Sequence, residues 1–324
     1  MAVPNNTVET FDRVGIREDL ADVIYNIAPT ETPFMSNAAS GTAAQTLHEW
    51  QTDGLAAVGT NAQKEGDDYA LGSRAATVRL NNNTQISAKT VGVSGSDQAV
   101  TNAGRGDELA YQLAKMGKEL KRDMEHANVG IENAKASGSS GTARESASVG
   151  TWYGGNEAGT SSAAGNFSTN GSPSASPAGT GATAIAGGTN RTFTEALLKA
   201  GLKKCYELGG NPDVVLMSAS HKQLASAFSG VATLYKNADD RTVIGAVDVY
   251  VSDFGEVSFV PNRHQNANRV DILEMDKWEI SYLRPFQTKE LASSGDNEKR
   301  LLLAEWTLTA RSPNANYGIF NLTA

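Results

Sequence analysis

The most regular pattern of hydrophobic and polar positions in the chain runs from Asp107 to Ala136. Apolar residues recur there at spacings of three and four, and most charged residues lie off that stripe. Asp107 and Glu108 favour the start of a helix through its dipole, and no proline interrupts the segment. The pattern predicts one helix of about 45 Å. Its apolar positions are Leu109, Leu113, Met116, Leu120, Met124, Ala127, Ile131 and Ala134.

Residues 41–93 alternate weakly between polar and apolar side chains, as strands do. The alternation occurs in residues 46–51 and again in residues 76–80 and 85–87, on either side of a polar span, 53–72, that is rich in Gly and Asp. This arrangement predicts a long β-hairpin with arms of about 15–20 residues, or roughly 50–65 Å. Such a hairpin is poorly stable alone, so we expect it to lie on another surface.

The sequence of residues 1–40 predicts an arm with one short helix. Apolar residues form a single stripe at helical spacing over residues 17–27. Pro29 and Pro33 end that helix and predict extended backbone around residues 31–34. Because a lone helix of this length is marginal in water, we expect the arm to dock on the body or on a neighbouring chain.

From residue 192 onward the chain predicts a mixture of helices and strands. Two capping boxes, Thr192–Glu195 and Ser220–Gln223, each predict the start of a helix. A continuous apolar run at residues 214–217 predicts a buried strand, and alternation around a turn predicts a hairpin over residues 247–261. Further strands are predicted over residues 270–283 and 300–311. We therefore predict an α+β fold in which the long helix and the last strands share one core.

A low-complexity segment separates the long helix from this second region. Residues 137–190 consist mainly of Gly, Ser, Ala and Thr and carry few charges. Such a composition buries little surface, so it predicts a flexible or surface-exposed insertion. Trp152 and Tyr153 interrupt the segment, and we expect them to anchor one short piece of it to the body.

Composition limits the classes of function. The formal net charge is -8, and no basic face or Arg-rich tail occurs, which argues against tight binding to nucleic acid. Cys205 is the single cysteine, which excludes an internal disulfide and a multi-cysteine zinc site. The N-terminus lacks the features of a secretory signal, and no apolar run reaches the length of about 18 residues that a membrane helix needs. We expect a soluble protein without membrane contact, made in a reducing cytoplasm.

No pattern of catalytic or metal-binding residues stands out. The glycine motifs for phosphate and dinucleotide binding and the nucleophilic serine elbow are absent. The pairs Asp67–Asp68 and Asp239–Asp240 are typical of solvated turns, and Cys205 lies on the apolar stripe of its predicted helix. The histidines, which are widely spaced in the sequence, are His48, His126, His221 and His264. We therefore predict no catalytic residues, no metal site and no cofactor, and the protein is not expected to be an enzyme.

Several segments of the chain resemble a family of tailed-bacteriophage major capsid proteins. The first is REDLADVIYNIAPTETPFMS, residues 17–36. The second is C-terminal and contains Arg284-Pro285-Phe286, Leu291, Gly295-Asp296, Glu298-Lys299-Arg300 and residues 305–308. A third, weaker match consists of Gly210-Asn211-Pro212-Asp213 with residues 214–218, Phe254-Gly255 and Pro261-Asn262-Arg263. Together these segments span nearly the whole chain in order.

The resemblance implies the capsid fold first known from the Hong Kong phage. That fold has an N-terminal arm, an extended β-hairpin loop, a peripheral domain with a long spine helix, and an axial domain. The insertion is longer than the family pattern requires. The corresponding divisions are the arm at 1–40, the extended loop at 41–93, the peripheral domain at 94–191 with spine helix 107–136 and insertion 137–190, the axial domain at 192–268, and C-terminal strands at 269–324 that return to the peripheral domain.

The resemblance also implies a structural function. Many copies would form hexamers and pentamers that enclose double-stranded DNA in an icosahedral head. The expected partners are copies of the chain itself, the portal, and scaffolding or decoration proteins, with weak, non-specific contact with packaged DNA. We expect assembly in the host bacterial cytoplasm and a final location in the virion capsid.

The predicted arm and hairpin have no core of their own, so a neighbouring copy would have to complete their burial. We expect the hairpin to lie across an adjacent subunit and the arm to lie beneath another. Salt links there would be weak singly but repeated around the shell. The residues expected at this interface are Lys64, Glu65, Asp67, Asp68, Arg74, Arg17 and Phe34.

Two alternative functions remain open. Another self-assembling protein, a filament or surface-layer subunit, would show long heptad-rich helices at both termini or a signal peptide. A hydrolase or carbohydrate-binding domain with a Gly/Ser-rich linker would need clustered carboxylates or aromatic platforms. The tryptophans are widely separated in the sequence; they are Trp50, Trp152, Trp278 and Trp306.

Overall fold

The computed structural model of the chain contains two main sheets and a long helix that packs on the first of them. It describes residues 30–56, 58–66, 68, 72, 74, 76–100, 106–153, 180–182, 190–228 and 248–323. The predicted helix at residues 17–27 and most of the predicted insertion at residues 137–190 lie outside these ranges.

The longest α-helix of the described ranges is the predicted spine. Its N-cap is Asp107, whose side chain accepts a hydrogen bond from the backbone N–H of Ala110 at 3.1 Å. Its buried residues include Met116, Leu120 and Met124, which confirms the predicted apolar stripe. The helices are α1 Pro33–Asn37, α2 Gly95–Ala99, α3 Glu108–Glu125, α4 Glu195–Glu207 and α5 Ala219–Ser226.

The predicted C-terminal end of the spine helix is wrong. A turn of π-helix, His126–Gly130, follows α3, and the next residue is extended. A Cβ atom at Gly130 would lie 2.5 Å from the carbonyl oxygen of His264, so the backbone of another segment packs directly on the helix end. The helix does not reach Ala136 because this tertiary contact overrides the apolar periodicity.

Three sheets account for the strands of the described ranges. The strand order is β1-β9-β10-β4 in the first sheet, β11-β8-β5-β7-β6 in the second, and β2-β3 in a separate pair. The strands are β1 Ala39–Thr42, β2 Leu47–Thr52, β3 Val78–Asn83, β4 Gln85–Ser94, β5 Val214–Met217, β6 Val249–Ser252, β7 Gly255–Pro261, β8 Val270–Leu273, β9 Trp278–Leu291, β10 Asn297–Ala310 and β11 Tyr317–Ile319.

The first sheet is built around the two long C-terminal strands. β10 pairs antiparallel with both β9 and β4, and β1 adds to β9 in parallel. One face of α3 packs on this sheet, where Met116 and Leu120 form a cluster with Leu302. Nearer the end of the helix, Met124 packs with Trp306. The prediction that the long helix and the last strands share one core is therefore confirmed.

The second sheet contains strands from both sides of residue 268. β5 pairs in parallel with β7 and antiparallel with β8, which in turn pairs with β11. β8 and β11 therefore do not return to the first sheet, contrary to the expectation for residues 269–324. All four residues of β8 are buried, and burial of its three apolar side chains between two neighbouring strands explains its position. α4 packs closely against this sheet because Gly201 has no side chain: a Cβ there would lie 2.5 Å from Cδ1 of Ile272.

Two sequence predictions in this half of the molecule hold. The hairpin predicted over residues 247–261 is confirmed by the antiparallel pairing of β6 and β7. Gly255 follows its turn with a φ of 136°, a conformation that favours glycine. Trp152 and Tyr153 are both buried in a core cluster, so they anchor the chain as predicted.

The β2–β3 pair is the predicted hairpin, with shorter paired arms than expected. Each strand has six residues, with Leu47 opposite Asn83 and Thr52 opposite Val78. The paired part is therefore about 20 Å long. β4, predicted as part of the returning arm, pairs with β10 instead. No helix or strand occurs at the described positions among residues 53–77.

Three predicted local signals are wrong. Pro33 does not impose extended backbone on the next residue; it occupies the first turn of α1, where its fixed φ suits a helix. The N-cap of α4 is Thr194 rather than Thr192, and the N-cap of α5 is Ser218 rather than Ser220. Thr192 and Thr194 both precede α4, and Ser218 and Ser220 lie on either side of the first residue of α5. The sequence alone therefore does not decide which threonine or serine caps each helix.

Candidate assembly surface

One end of the β2–β3 hairpin is fixed to the body of the chain. Nε1 of Trp50 donates a hydrogen bond to the carbonyl oxygen of Ala310 at 2.9 Å. The ring centroids of Trp50 and Trp152 lie 5.5 Å apart. The buried side chain of Asn82 donates from Nδ2 to the carbonyl oxygen of Leu308 at 2.7 Å. These contacts hold the base of the hairpin on the first sheet.

The other end of the hairpin is exposed. Every described residue from Asp53 to Val78 is exposed, and the side chains of Leu55 and Val58 are fully so. Burial of a Leu or Val side chain stabilises a protein by about 1.5–3 kcal/mol. The chain by itself does not gain this stabilisation, so a neighbouring chain could supply it. We call residues 53–77 the hairpin loop.

The hairpin loop carries most of the residues predicted at a subunit interface. Those described, which are all exposed, are Lys64, Glu65, Asp68 and Arg74. Asp67 and Arg17 lie outside the described residues. The loop thus brings exposed charges of both signs together on one segment. Their contact with a neighbouring subunit stays a prediction.

Phe34 requires a correction to the predicted interface. Its side chain is 1% exposed and packs edge-on against Trp278, with the ring centroids 6.0 Å apart. Its backbone N–H donates a hydrogen bond to Oε1 of Glu125 at 2.9 Å. Phe34 is therefore part of the core of its own chain, and its side chain is not available to a neighbour.

The carboxylate of Glu125 joins three elements of the fold. It accepts the backbone N–H groups of Phe34 and Met35 in α1, each at 2.9 Å, and the side-chain Nδ2–H of Asn262 after β7 at 2.6 Å. Burial raises the pKa of Glu125, although these three hydrogen bonds oppose the rise. The end of α3 is thereby tied to the N-terminal segment and to the second sheet.

A buried ion pair makes a second connection between the end of α3 and the second sheet. Nε of Arg269 lies 2.8 Å from Oδ1 of Asp271, and both side chains are fully buried. Nη2 of Arg269 donates a hydrogen bond to the carbonyl oxygen of Val129 at 2.8 Å. Burial opposes the charge on Arg269, but Asp271 and Glu132 raise its pKa above the ordinary value. The guanidinium therefore stays charged and links β8 to the π-helical turn.

The outer edge of the second sheet is another surface with exposed apolar residues. Val249 and Val251 of the edge strand β6 are exposed. Nearby, the exposed rings of Tyr206 and Phe254 lie 5.1 Å apart between centroids. A groove of about 440 Å³ beside them is lined by residues of α4 and of the β6–β7 hairpin. Exposed apolar side chains on an edge strand are typical of surfaces that contact other chains.

The described residues show where the candidate chemical groups lie. No cluster of three or more potential metal ligands occurs among them. Cys205 is fully buried, and burial raises the pKa of its thiol to about 12, which confirms its predicted place in the core. Burial also lowers the pKa of His221, whose Nδ1 lies 2.9 Å from Oγ of Ser218. Among the described helices, none has both the length and the hydropathy of a membrane span.

Comparison with known proteins decides the family. Residues 3–323 match the sequence model of the SU10 major capsid protein. The chain belongs to the SU10 major capsid protein family. It is therefore a structural subunit of a phage capsid, as predicted, and neither the filament nor the hydrolase alternative is supported.

Known relatives agree with this assignment over nearly the whole length of the capsid protein. The chain is 28% identical to the major capsid protein of Escherichia phage Phieco32, with 96% of each chain covered. Its fold is similar to the solved capsid asymmetric unit of Cyanophage A-1(L), with a TM-score of 0.66, 15% identity, and 98% of this chain and 99% of that chain covered. It is also similar to the capsid of a native GTA particle, with a TM-score of 0.64, 11% identity, and 95% and 96% covered. The predicted α+β capsid fold is confirmed.

Two exposed residues of the hairpin loop are not among the predicted interface residues. Leu55 and Val58 were not singled out, because the span that contains them is mostly polar. The signal available in the sequence is that large apolar or aromatic residues, Leu55, Val58, Tyr69 and Leu71, occur in an otherwise polar, Gly- and Asp-rich span.

Proposed function

We propose that many copies of this capsid protein form hexamers and pentamers that close an icosahedral head around double-stranded DNA. In each copy the hairpin loop lies across a neighbouring subunit and buries Leu55 and Val58 there. The base of the loop stays fixed on its own chain through Trp50 and Asn82. The arm, most of which lies outside the described residues, packs beneath another subunit.

The exposure of the hairpin loop is the observation that supports this proposal. Two fully exposed apolar side chains lie on a segment with no helix or strand of its own at the described positions. Apolar burial drives association between chains, and a closed symmetric assembly repeats each contact on every copy. A loop held at its base and exposed at its tip can reach a neighbour without unfolding the chain that carries it.

The remaining partners follow from the same function. We propose that the shell also contacts a portal, together with scaffolding or decoration proteins. Contact with packaged DNA is weak and non-specific, because the chain carries a formal net charge of -8. We propose that assembly takes place in the host bacterial cytoplasm, and that the subunit performs no catalysis and binds no cofactor.

Deletion of the loop tip tests the proposal. Residues 54–72 are replaced by a short Gly-Ser linker, which leaves the paired strands β2 and β3 intact. We expect a soluble, unassembled subunit and no shells by negative-stain electron microscopy. The reason is that the deletion removes the apolar contact with the neighbour and leaves the core of the chain untouched.

Circular dichroism and thermal unfolding serve as the folding control. The unassembled wild-type subunit and the deletion variant should unfold at similar temperatures, because every described residue that is deleted is exposed. Normal particles from the deletion variant would contradict the proposed role of the hairpin loop.

A further inference from the structure

Four basic residues meet where the end of α3 approaches the turn after β7. Arg122 and His126 lie one turn apart on the helix, and Arg263 and His264 lie on the turn. His126 reaches the base of that turn: a Cβ at Gly130 would lie 2.0 Å from His126 Nδ1 and 2.5 Å from the carbonyl oxygen of His264. We call Arg122, His126, Arg263 and His264 the basic cluster.

The backbone that carries the basic cluster is held in place by hydrogen bonds. Asn262 donates from Nδ2 to the buried carboxylate of Glu125 at 2.6 Å, and its Oδ1 accepts the backbone N–H of His264 at 2.9 Å. On the far side of the turn, the backbone N–H of Asn266 donates to the carbonyl oxygen of Val129 at 3.1 Å. The two segments therefore present their basic side chains in a fixed arrangement.

Two nitrogen atoms of the basic cluster have unused hydrogen-bonding capacity. Nε of Arg122 and Nε2 of His264 are buried and have no hydrogen-bond partner among the described residues. The adjacent carboxylate of Asp123 pairs with Lys89 at 2.9 Å. Burial lowers the pKa of His264, and the positive charges of Arg122, His126 and Arg263 lower it further. The side chains of His126 and Arg263 are exposed, so these two members of the basic cluster are accessible to an external carboxylate.

We propose that the basic cluster binds the carboxylates at the tip of a neighbouring copy's hairpin loop, Glu65 and Asp68. This inference rests on the proposed function and identifies the surface of one subunit that the hairpin loop of its neighbour contacts. The hairpin loop carries more acidic than basic residues: Asp53, Glu65, Asp67 and Asp68 against Lys64 and Arg74. Glu65 and Asp68 are exposed.

A carboxylate suits the site better than a nucleic-acid phosphate. The chain has a formal net charge of -8, which disfavours contact with DNA. Copies of an acidic chain that touch one another need opposite charges at their contacts, because like charges placed together across an interface cost several kcal/mol. The loop and the cluster provide such a pair on every copy.

A charge exchange tests the pairing. The variants Arg122→Glu/Arg263→Glu and Glu65→Lys/Asp68→Lys should each reduce the yield of shells by about tenfold or more, because each places like charges together. The chain that carries all four substitutions should recover most of the wild-type yield. As a matched control, Glu65→Lys/Asp68→Lys combined with Lys199→Glu/Lys203→Glu on α4 should not recover it.

The readouts separate this inference from the proposed function. Shell yield is measured by sedimentation and negative-stain electron microscopy, and thermal unfolding of the unassembled subunits verifies that each variant folds. If the four-substitution chain folds but gives no more shells than the two-site variants, the pairing is wrong. If Arg122→Glu/Arg263→Glu forms normal shells that lose DNA, the cluster binds phosphate and the pairing is also wrong. In either case the proposed function stands if loop deletion still abolishes shells.

Discussion

Nε1 of Trp50 lies 2.9 Å from the carbonyl oxygen of Ala310 and donates a hydrogen bond to it. Trp50 belongs to β2 of the hairpin, and Ala310 is the last residue of β10 in the first sheet. The Trp50 ring also contacts Trp152. Together with Asn82, which donates a hydrogen bond to the carbonyl oxygen of Leu308, Trp50 joins the exposed hairpin to the core of the chain.

Two substitutions of Trp50 should separate the contribution of its ring packing to stability from the contribution of its hydrogen bond. Trp50→Phe keeps a ring against Trp152 but loses the N–H donor, so we expect a loss of about 1 kcal/mol in the free energy of unfolding. Trp50→Ala removes the ring as well, and we expect a loss of about 2–3 kcal/mol, below the range for a fully buried tryptophan because Trp50 is half-buried. Chemical denaturation of the unassembled subunit measures both values. Equal losses in the two variants would show that ring packing does not hold the base of the hairpin.

Removal of the Glu125 carboxylate should destabilise the junction of three elements. Glu125→Ala leaves three donors, two of them buried, without an acceptor, and we expect a loss of about 3 kcal/mol or more at neutral pH. Glu125→Gln keeps one acceptor oxygen and removes a buried charge, so we expect a loss of about 1–2 kcal/mol. Chemical denaturation measures the difference. If Gln destabilises the subunit as much as Ala, the carboxylate's hydrogen bonds do not explain its role.

The same residue should give the subunit a specific dependence on pH. Burial raises the pKa of Glu125 above its ordinary value of 4.5, against three opposing hydrogen bonds. A raised pKa in the folded state means that the contribution to stability is fully present below the unfolded-state pKa and is lost as pH rises through the folded-state pKa. The stability of wild type relative to Glu125→Gln should therefore decrease over the interval from about pH 4.5 up to the raised pKa of the folded state. Denaturation curves at several pH values test this, and an increase over that interval would contradict it.

Much of the α+β class was predictable because it depends on local periodicity. The stripe through Met116 and Leu120 predicted α3, and alternation around Gly255 predicted the β6–β7 hairpin. The end of α3 was not predictable in this way, because the contact of Gly130 with His264 joins segments far apart in the sequence. The apolar pattern continues past that point, although the helix does not.

The exposure of the hairpin loop was predictable, but the burial of Phe34 was not. The charged residues of the hairpin loop are exposed, and the polar, Gly-rich sequence around Lys64 and Glu65 predicts that exposure. Phe34 was assigned to the interface because it lies in the predicted arm. Its burial against Trp278 and the capping of α1 by Glu125 depend on contacts with distant residues, which a local pattern does not report.

The loss of stability on disrupting the buried ion pair should depend strongly on whether one partner or both partners are removed. Arg269→Met leaves the Asp271 carboxylate buried without its cation, and we expect a loss of about 3–5 kcal/mol. The double variant Arg269→Met/Asp271→Leu leaves only the partly buried Glu132 carboxylate without its cation, so it should be more stable than Arg269→Met alone. Chemical denaturation of the unassembled subunits gives both values. A double variant that is less stable than the single one would show that the pair contributes more than charge compensation.

Thiol labelling at position 55 tests most directly whether the hairpin loop becomes buried against a neighbouring subunit when shells form. Cys205 is fully buried, so a Leu55→Cys variant offers one reactive thiol among the described residues. We predict that this thiol reacts about tenfold more slowly, or slower still, in purified shells than in unassembled subunits. Equal labelling rates in shells and in unassembled subunits would contradict the account.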